Sequence, residues 1–372
     1  FNTGVNFIYT IGILIGVGLG STAISIPVSV VAKHYPASKR TMATGIVTSA
    51  GSFGYFVSPI FVSYSLTENG WEPTMLYFCF LLGLGLLVAL FIPDIGTSVN
   101  GSIRWIRLGP INIQPSEVCK FSLILYISGY SVRRMSEINT LRSFLKPLFL
   151  LFIISLLIMG QPDLGSTAII CLLVVAILFY AGISFFQFSL LSILISLLGY
   201  LAISSSPMRL ARVLAFTDPF AEDVVRNAGW QLSNSLISIG QGGWFGLGIG
   251  NSFQKNFFLP EAHTDFIFAI LVEELGIVGG LLLIGLFVVL FIGILRVALD
   301  SFSKDRLFQG YVSFGIMVLI AVQALFNMAV NIGLLPTKGL TLPFISYGGT
   351  SIIIMMSLIA IVIRINNENK LI

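Results

Sequence analysis

Apolar runs of roughly 20 residues recur along the whole chain, each long enough to cross a bilayer as an α-helix. With 56% hydrophobic and 10% charged residues, the composition excludes an ordinary soluble domain. The runs also lack the alternation of β-barrel strands. The sequence therefore predicts an all-α polytopic integral membrane protein of about ten transmembrane helices, at about 5–32, 42–65, 74–93, 115–132, 146–160, 164–181, 184–203, 264–295, 308–334 and 347–364.

Basic residues in the later connections predict the orientation of these helices. Positive charge accumulates in cytoplasmic loops, and here it lies in 133–146, in 296–306 and in the C-terminal tail. The net charge of +4 is thereby explained without a nucleic-acid partner. The opposite, extracytoplasmic side then receives 94–114, the corner at 161–163, the large loop 204–263 and 335–346.

The 204–263 segment is too long for a simple connector. Residues Trp230–Gly240 have helical periodicity, and a glycine-rich run follows over Gln241–Gly250. Such glycines permit tight turns or close approach of the backbone to a ligand. With only two histidines and three separated cysteines in the chain, no dedicated metal site is predicted.

Three acids, Asp265, Glu273 and Glu274, lie at the start of the 264–295 run. Asp265, at the helix mouth beside Phe266, is a candidate general base with a pKa raised by desolvation, or a helix N-terminal acid favoured by the dipole. Glu273 lies about 12 Å deeper and Glu274 on the opposite side. Both glutamates are assigned supporting or interhelical pairing roles, Glu273 with a buried cation such as Lys120.

From about residue 94 to 368 the chain resembles the SEDS family of peptidoglycan glycosyltransferases, in its division-type (FtsW-like) branch. The motifs that carry the resemblance are Arg104-Trp105, Gln114-Pro-Ser-Glu117 with Lys120, Gln161-Pro-Asp-Leu-Gly165, Leu259-Pro-Glu-Ala-His-Thr-Asp265, Glu273-Glu-Leu-Gly276 and the run from Leu335 to Gly349 with Thr337-Lys338.

Residues 1–90 do not fit this family and resemble three helices of a major facilitator transporter. The basic loop at Lys33–Arg40 also conflicts with the orientation that the later part requires. The sequence therefore predicts two parts: a foreign or fused segment, 1–90, and a SEDS-like glycosyltransferase domain, 91–372, that lacks its native N-terminal helices.

The resemblance implies a reaction, its site and its partners. Lipid II, an undecaprenyl-linked disaccharide, would be polymerised at the extracytoplasmic side of the bacterial inner membrane, with Asp265 as catalytic base and a divalent cation, Mg²⁺ or Mn²⁺, allowed at the diphosphate. A class B penicillin-binding protein and other division proteins are the implied partners. The candidate substrate-binding residues are Arg104, Trp105, Lys120, Gln161, Asp163, Lys255, Glu261, His263, Lys338, Ser346 and Tyr347.

Several of these residues have a second interpretation. Lys120 either holds the diphosphate or snorkels to the interface, and Asp163 either binds sugar or caps the next helix. Two other functions are also open: a membrane transporter or lipid II flippase, and an inactive or non-enzymatic division scaffold.

Overall fold

In a computed structural model, the structure describes residues 71–92, 96–99, 102–108, 111–222, 224–256 and 258–371. The chain divides into two units, Phe1–Met75 and Leu76–Ile372. The spans predicted at 5–32 and 42–65, and most of the segment that resembles a transporter, lie outside the described residues.

The described part is mostly helical. Its helices are α1 (Trp71–Ala89), α2 (Pro115–Arg133), α3 (Leu141–Gly160), α4 (Leu164–Tyr180), α5 (Phe185–Ser204), α6 (Pro207–Thr217), α7 (Trp230–Gly242), α8 (Ile267–Ser303), α9 (Leu307–Asn331) and α10 (Gly349–Asn369). Within the described residues, α3, α5, α8, α9 and α10 are long and apolar enough to cross a membrane. A multi-pass helical membrane protein is thus confirmed, while the number of ten spans stays a prediction.

Local sequence signals explain where several helices begin. Pro115 occupies the first turn of α2, where its missing N–H is not needed. Thr140 and Asp163 accept hydrogen bonds from the first-turn amides of α3 and α4. Ser184 and Gln187 form a capping box at α5. The predicted helix starts therefore agree with the structure to within about five residues.

The core is built around α2, α4 and α9. Ile124 and Ile127 of α2, Ile170 of α4, and Ile316 and Leu319 of α9 are all fully buried in one apolar cluster. By contrast α5 buries only Leu191. Since lipid is as apolar as these side chains, close packing rather than water exclusion selects the buried faces.

A small antiparallel sheet corrects the all-α expectation. Strands β1 (Gly96–Val99), β2 (Ser102–Leu108) and β3 (Ile111–Ile113) pair in chain order, with Thr97 opposite Trp105. The strands are too short to register as apolar runs, so they were missed. The sheet leads directly into α2, where the Gln114 N–H donates to Thr350 Oγ1 at 3.2 Å.

The longest helix, α8, is interrupted at Gly276. That residue has φ 73° and ψ −178°, so two helical pieces, 267–275 and 277–303, meet there. The glycine-rich run after α7 packs against the break: the amides of Leu247 and Gly248 donate to the carbonyls of Glu273 and Glu274. The amides of Ile277 and Val278 donate to the carbonyls of Gly243 and Trp244. The loop thereby satisfies the backbone groups that the break exposes.

Candidate functional site

Asp265 lies two residues before α8, in a turn that α9 holds in place. Its backbone carbonyl accepts hydrogen bonds from Asn327 Nδ2 at 2.8 Å and Asn331 Nδ2 at 3.0 Å. Asn331 Oδ1 also accepts from the Ala269 N–H at 3.0 Å. Side-chain amides of α9 thus satisfy the first amide and carbonyl groups of α8 and fix where Asp265 stands.

These side-chain amides were not predicted from the sequence. Gln323, Asn327 and Asn331 are four residues apart, so they share one face of α9, and all three are buried. Their spacing in an otherwise apolar span is the signal that could have identified them, since polar side chains inside a membrane are costly unless partnered.

The loop between α9 and α10 closes over the Asp265 turn. Asn327 Nδ2 donates to the Leu340 carbonyl at 2.6 Å. Ser346 Oγ donates to the Thr264 carbonyl at 2.6 Å and accepts from the Leu342 N–H at 2.7 Å. Ser346 is buried, and both hydrogen bonds of its hydroxyl group are made with backbone atoms. A Cβ atom added to Gly339 would lie 2.7 Å from Asp265 Oδ2, so only a glycine leaves the carboxylate its present position.

The electrostatic environment of Asp265 favours the protonated form. Burial, with the nearby charges of Glu261 and Asp163, raises the pKa of its carboxyl group from 3.8 to about 7, although the charges of Arg104 and Arg212 act to lower it. Burial is the largest cause of this shift, and its direction is the one that the sequence predicted. A carboxylate that takes up a proton near pH 7 is suited to general-base chemistry.

Arg104 and the corner before α4 lie in the same region. Arg104 Nη2 donates to the Pro162 carbonyl at 2.8 Å, and its Nε is 3.9 Å from Asp163 Oδ2. Asp163 is buried and caps α4 by accepting from the Ser166 N–H at 3.2 Å, which confirms the capping interpretation. Gln161 is buried beside it, and its Nε2 atom has no hydrogen-bond partner.

Lys338 brings a cation from the 332–348 loop. Burial, with the charges of Arg212, Arg209 and Arg104, lowers the pKa of its ammonium group from 10.5 to about 8, although the charge of Asp163 acts to raise it. Arg209 and Arg212, on α6, were not predicted as site residues. They lie in the predicted extracytoplasmic segment 204–263, where a cation is ordinarily an exposed surface residue.

Lys120 is deeply buried within the helix bundle and does not face solvent. Its Nζ atom donates to Glu117 Oε1 at 2.6 Å and to Gln323 Oε1 at 3.0 Å. Gln323 Nε2 in turn donates to Thr341 Oγ1 at 3.0 Å. Gln323, the α9 residue that Lys120 contacts, precedes Asn327 by one helical turn. The network ends at Thr341, in the same 332–348 loop as Lys338.

The suggested pairing of Glu273 with Lys120 is wrong, because Glu273 is saturated by other donors. It accepts from Ser238 Oγ at 2.7 Å, Ser252 Oγ at 2.6 Å and the Phe253 N–H at 2.8 Å. Glu274 instead carries an ion pair, 2.6 Å from Lys255 Nζ. Both glutamates attach the 243–258 loop to α8, in agreement with a supporting role, and Lys255 is taken up by this pair.

The remaining candidates lie around the Asp265 turn. His263 is exposed, and its carbonyl accepts from the Tyr347 N–H at 2.9 Å. The two side chains line an open hollow of about 490 Å³ together with Ile267 and Ile352. Glu261 is exposed and accepts from Thr264 Oγ1 at 2.8 Å. Trp105 is half-buried on β2.

Metal-ligating side chains do not cluster in this region. In the described ranges, no group of three or more His, Cys, Asp or Glu residues could hold a metal ion. These side chains therefore do not by themselves form a cage for Mg²⁺ or Mn²⁺.

Curated relatives match this chain closely. It is 47% identical over 287 residues to the probable peptidoglycan glycosyltransferase FtsW of Legionella pneumophila, covering 77% of this chain and 72% of that protein. It is 48% identical over 290 residues to the protein of the same name from Saccharophagus degradans, covering 77% and 74%.

Solved structures share the fold. A chain of a peptidoglycan synthase complex that coordinates polymerization and crosslinking superposes with a TM-score of 0.66 at 24% identity, covering 95% of this chain and 97% of that chain. The rod shape determining protein RodA of Thermus thermophilus gives a TM-score of 0.54 at 22% identity, covering 98% and 96%.

The family model for cell cycle proteins of the FtsW, RodA and SpoVE type matches residues 6–371. This match extends across nearly the whole chain, and relatives more than 40% identical align with over three quarters of it. The chain therefore belongs to the FtsW/RodA/SpoVE family.

Proposed function

We propose that this protein is a peptidoglycan glycosyltransferase that polymerises lipid II into glycan strands during cell division, with Asp265 as the general base. The observation that carries the proposal is the half-buried Asp265 carboxyl group, whose pKa is raised to about 7 and on which the charges of Arg104 and Arg212 act. Relatives more than 40% identical bear the name of this activity.

The chemistry needs a base and a site for a leaving anion. The sugar 4-hydroxyl of one lipid-linked disaccharide attacks the anomeric carbon of the growing chain, and the polyprenyl diphosphate leaves. Asp265 takes the hydroxyl proton as the new bond forms, because its pKa lies near the working pH. Positive charge placed in advance stabilises the negative charge that develops on the departing diphosphate.

The two ends of α9 support an extracytoplasmic site. One end meets Asp265 through Asn331. The other end begins after Arg306, which pairs with Glu368 at 2.5 Å and lies near Lys304 and Arg364. A 25-residue helix is about 37 Å long, so the basic cluster and the Asp265 turn belong to opposite membrane surfaces. The positive-inside rule then puts Asp265 outside the bacterial inner membrane.

A transpeptidase partner fits this assignment. The fold neighbour from a peptidoglycan synthase complex works in an assembly that couples polymerization to crosslinking. We infer that a class B penicillin-binding protein binds this chain and joins the strands that it makes, together with other division proteins.

The test uses purified full-length protein, alone and with a cognate class B penicillin-binding protein, supplied with lipid II. The assay is run with Mg²⁺, with Mn²⁺ and with a chelator. The expected result is glycan strands from wild type and a loss of at least about 10³-fold in Asp265→Asn, within the range of a general-base contribution. Glu222→Gln, an exposed acid in the turn after α6, should retain wild-type activity.

Three outcomes would contradict the proposal. If Asp265→Asn makes strands at the wild-type rate, Asp265 is not the base. If neither protein makes strands under any ion condition while lipid II still crosses vesicle membranes, the chain is a flippase. Growth supported by Asp265→Asn in a strain that depends on this protein would point to a scaffold.

A further inference from the structure

Helix α6 (Pro207–Thr217) is a short amphipathic helix beside the Asp265 site. Leu210 and Leu214 are one turn apart and are 41% and 60% exposed, so they present an apolar surface away from the protein. Arg209 and Arg212 are three residues apart on another face and are half-buried. A helix with exposed leucines on one face and arginines on another is typical of the membrane interface.

The arginine face belongs to the same charge cluster as Asp265. Arg212 acts electrostatically on both Asp265 and Lys338, and Arg209 acts on Lys338. Arg104 acts on both as well, from β2. Arginines from two separate parts of the chain, β2 and α6, thus act on Asp265, on Lys338 or on both.

These cations are poorly neutralised by the protein. Within the described part of the chain, neither Arg212 nor Lys338 has a carboxylate within ion-pair distance, and Arg209 donates only to the Ala202 carbonyl, at 2.9 Å. Arg104 is 3.9 Å from Asp163. Like charges brought together raise the free energy of the folded protein unless an anion compensates, so the cluster is built to receive one.

Other cations named from the sequence are already occupied. Lys120 is bonded to Glu117 and Gln323 and is fully buried. Lys255 is paired with Glu274. Either ammonium group could bind a substrate only by breaking its ion pair, which is 2.6 Å long in both cases.

We propose that Arg212 and Arg209 of α6, together with Lys338, bind the diphosphate of the polyprenyl-linked substrate. This assignment rests on the proposed function, since that reaction requires a diphosphate leaving group. The exposed leucine face of α6 would lie among the acyl chains, beside the polyprenyl tail. The guanidinium groups can then donate bidentate hydrogen bonds to the phosphate oxygens at the membrane surface.

Binding rather than turnover tests this site. The full chain is reconstituted in phosphatidylcholine nanodiscs and titrated with undecaprenyl diphosphate, and uncharged undecaprenol serves as the matched lipid without the anion. Wild type should bind the diphosphate more tightly than the alcohol. Arg212→Gln and Lys338→Gln should each weaken diphosphate binding roughly 10-fold to 100-fold, the range for a hydrogen bond to a charged group, and leave undecaprenol binding unchanged.

Matched variants separate the site from general effects. Arg212→Lys should recover part of the affinity, and Arg226→Gln, an exposed cation in the turn before α7, should bind like wild type. If Arg212→Gln does not fold, Arg209→Gln on the same helix tests the same site with a smaller expected loss. Phosphatidylglycerol added to the nanodiscs should not displace the diphosphate at equal concentration.

The inference and the proposed function can fail separately. Diphosphate binding that is unchanged in Arg212→Gln, Arg209→Gln and Lys338→Gln would overturn the inference even if wild type makes glycan strands. Equal competition by phosphatidylglycerol would also overturn it, since the cluster would then be a general anionic-lipid surface. Weakened binding in these variants, with no glycan made by wild type, would retain the site and reject the polymerase.

Discussion

The position of the Asp265 carboxyl group depends on the absence of a side chain at Gly339. Asn327 and Asn331 hold the Asp265 backbone, but within the described residues no hydrogen bond fixes its carboxylate oxygens. Gly339 leaves room for Asp265 Oδ2, because a Cβ atom added at this position would lie only 2.7 Å from that oxygen. Glycine is thus required here for close approach rather than for backbone freedom.

Gly339→Ala should therefore displace the carboxylate while the protein stays folded. Because the crowded atom is the end of a flexible side chain, Asp265 can rotate away, and we expect kcat for glycan synthesis to fall roughly 10-fold or more, the order of loss for a misplaced catalytic group. The melting temperature in detergent should change little. Gly349→Ala, where an added Cβ meets nothing within 4 Å, is the control; equal rates in the two variants would show that Gly339 does not set the position of Asp265.

The sequence predicted a raised pKa for Asp265 because a carboxylate beside Phe266 at the mouth of an apolar helix loses solvent, and the family resemblance favoured it as the base over an ordinary helix N-terminal acid. It did not predict Asn331 or Arg212. The spacing of Asn331 from Gln323 and Asn327 could have indicated a buried polar face of α9, but not its partner Ala269, which is 62 residues away in the chain. Lys120 was predicted to be functional for the same reason as Asp265, yet its partners place it inside a polar network between helices.

The interruption of α8 at Gly276 gives the loop after α7 backbone groups to bind, and the helical piece next to Asp265 ends there. An unbroken helix would leave the 243–258 loop without partners, and an unpaired break in a membrane would cost several kcal/mol for each exposed group. Here Gly246 and Gly276 bring the two backbones so close that a Cβ on either would lie within about 2.3 Å of a carbonyl oxygen. The nine-residue piece that starts just after Asp265 is therefore anchored at both ends.

Gly246→Ala should destabilise the protein more than Gly250→Ala. Both glycines have positive φ, 79° and 86°, so each alanine suffers backbone strain of about 1–3 kcal/mol. Only at Gly246 does the added Cβ also collide with backbone, 2.2 Å from the Glu274 carbonyl, whereas at Gly250 nothing lies within 4 Å. Melting temperatures of the two variants measure the difference, and equal values would mean that the loop does not pack against the break.

Sequence patterns located most helices but not the interruption of one. Length and hydropathy predicted a span at 264–295, and the structure continues it to Ser303. A single glycine in an apolar run does not distinguish a break from ordinary close packing. The glycine-rich run was expected either to permit tight turns or to let the backbone approach a ligand; in the structure its backbone packs against the broken helix α8.

In the part of the chain that the structure describes, the length of α9 separates two charged regions. Lys304, Arg306, Glu368 and Asn369 bind one another at one end, where Arg306 Nη1 donates to Asn369 Oδ1 at 2.9 Å. Asp265, Arg212 and Lys338 gather at the other. Hydropathy and the positive-inside rule predicted this polarity from the sequence, because both depend on composition along the chain. The convergence of β2, α6 and the 332–348 loop on one site depends on packing, so composition could not show it.

A polar network joins the interior to the site. Lys120, Glu117 and Gln323 connect α2 to α9, and Gln323 reaches the 332–348 loop through Thr341. A buried ion pair contributes little net stability, but loss of one partner leaves an uncompensated charge. The network therefore fixes the relative position of α2, α9 and the loop that carries Lys338.

The central claim is that Asp265 acts as a base beside a cation cluster, and the pH dependence of kcat/KM for lipid II polymerisation tests it most directly. The rate should fall below about pH 7, as Asp265 takes up a proton, and above about pH 8, as Lys338 loses its charge. Lys338→Arg should move only the upper limb to higher pH, because arginine stays protonated. A rate that is constant from about pH 5 to pH 7 would contradict the assignment of Asp265 as the base.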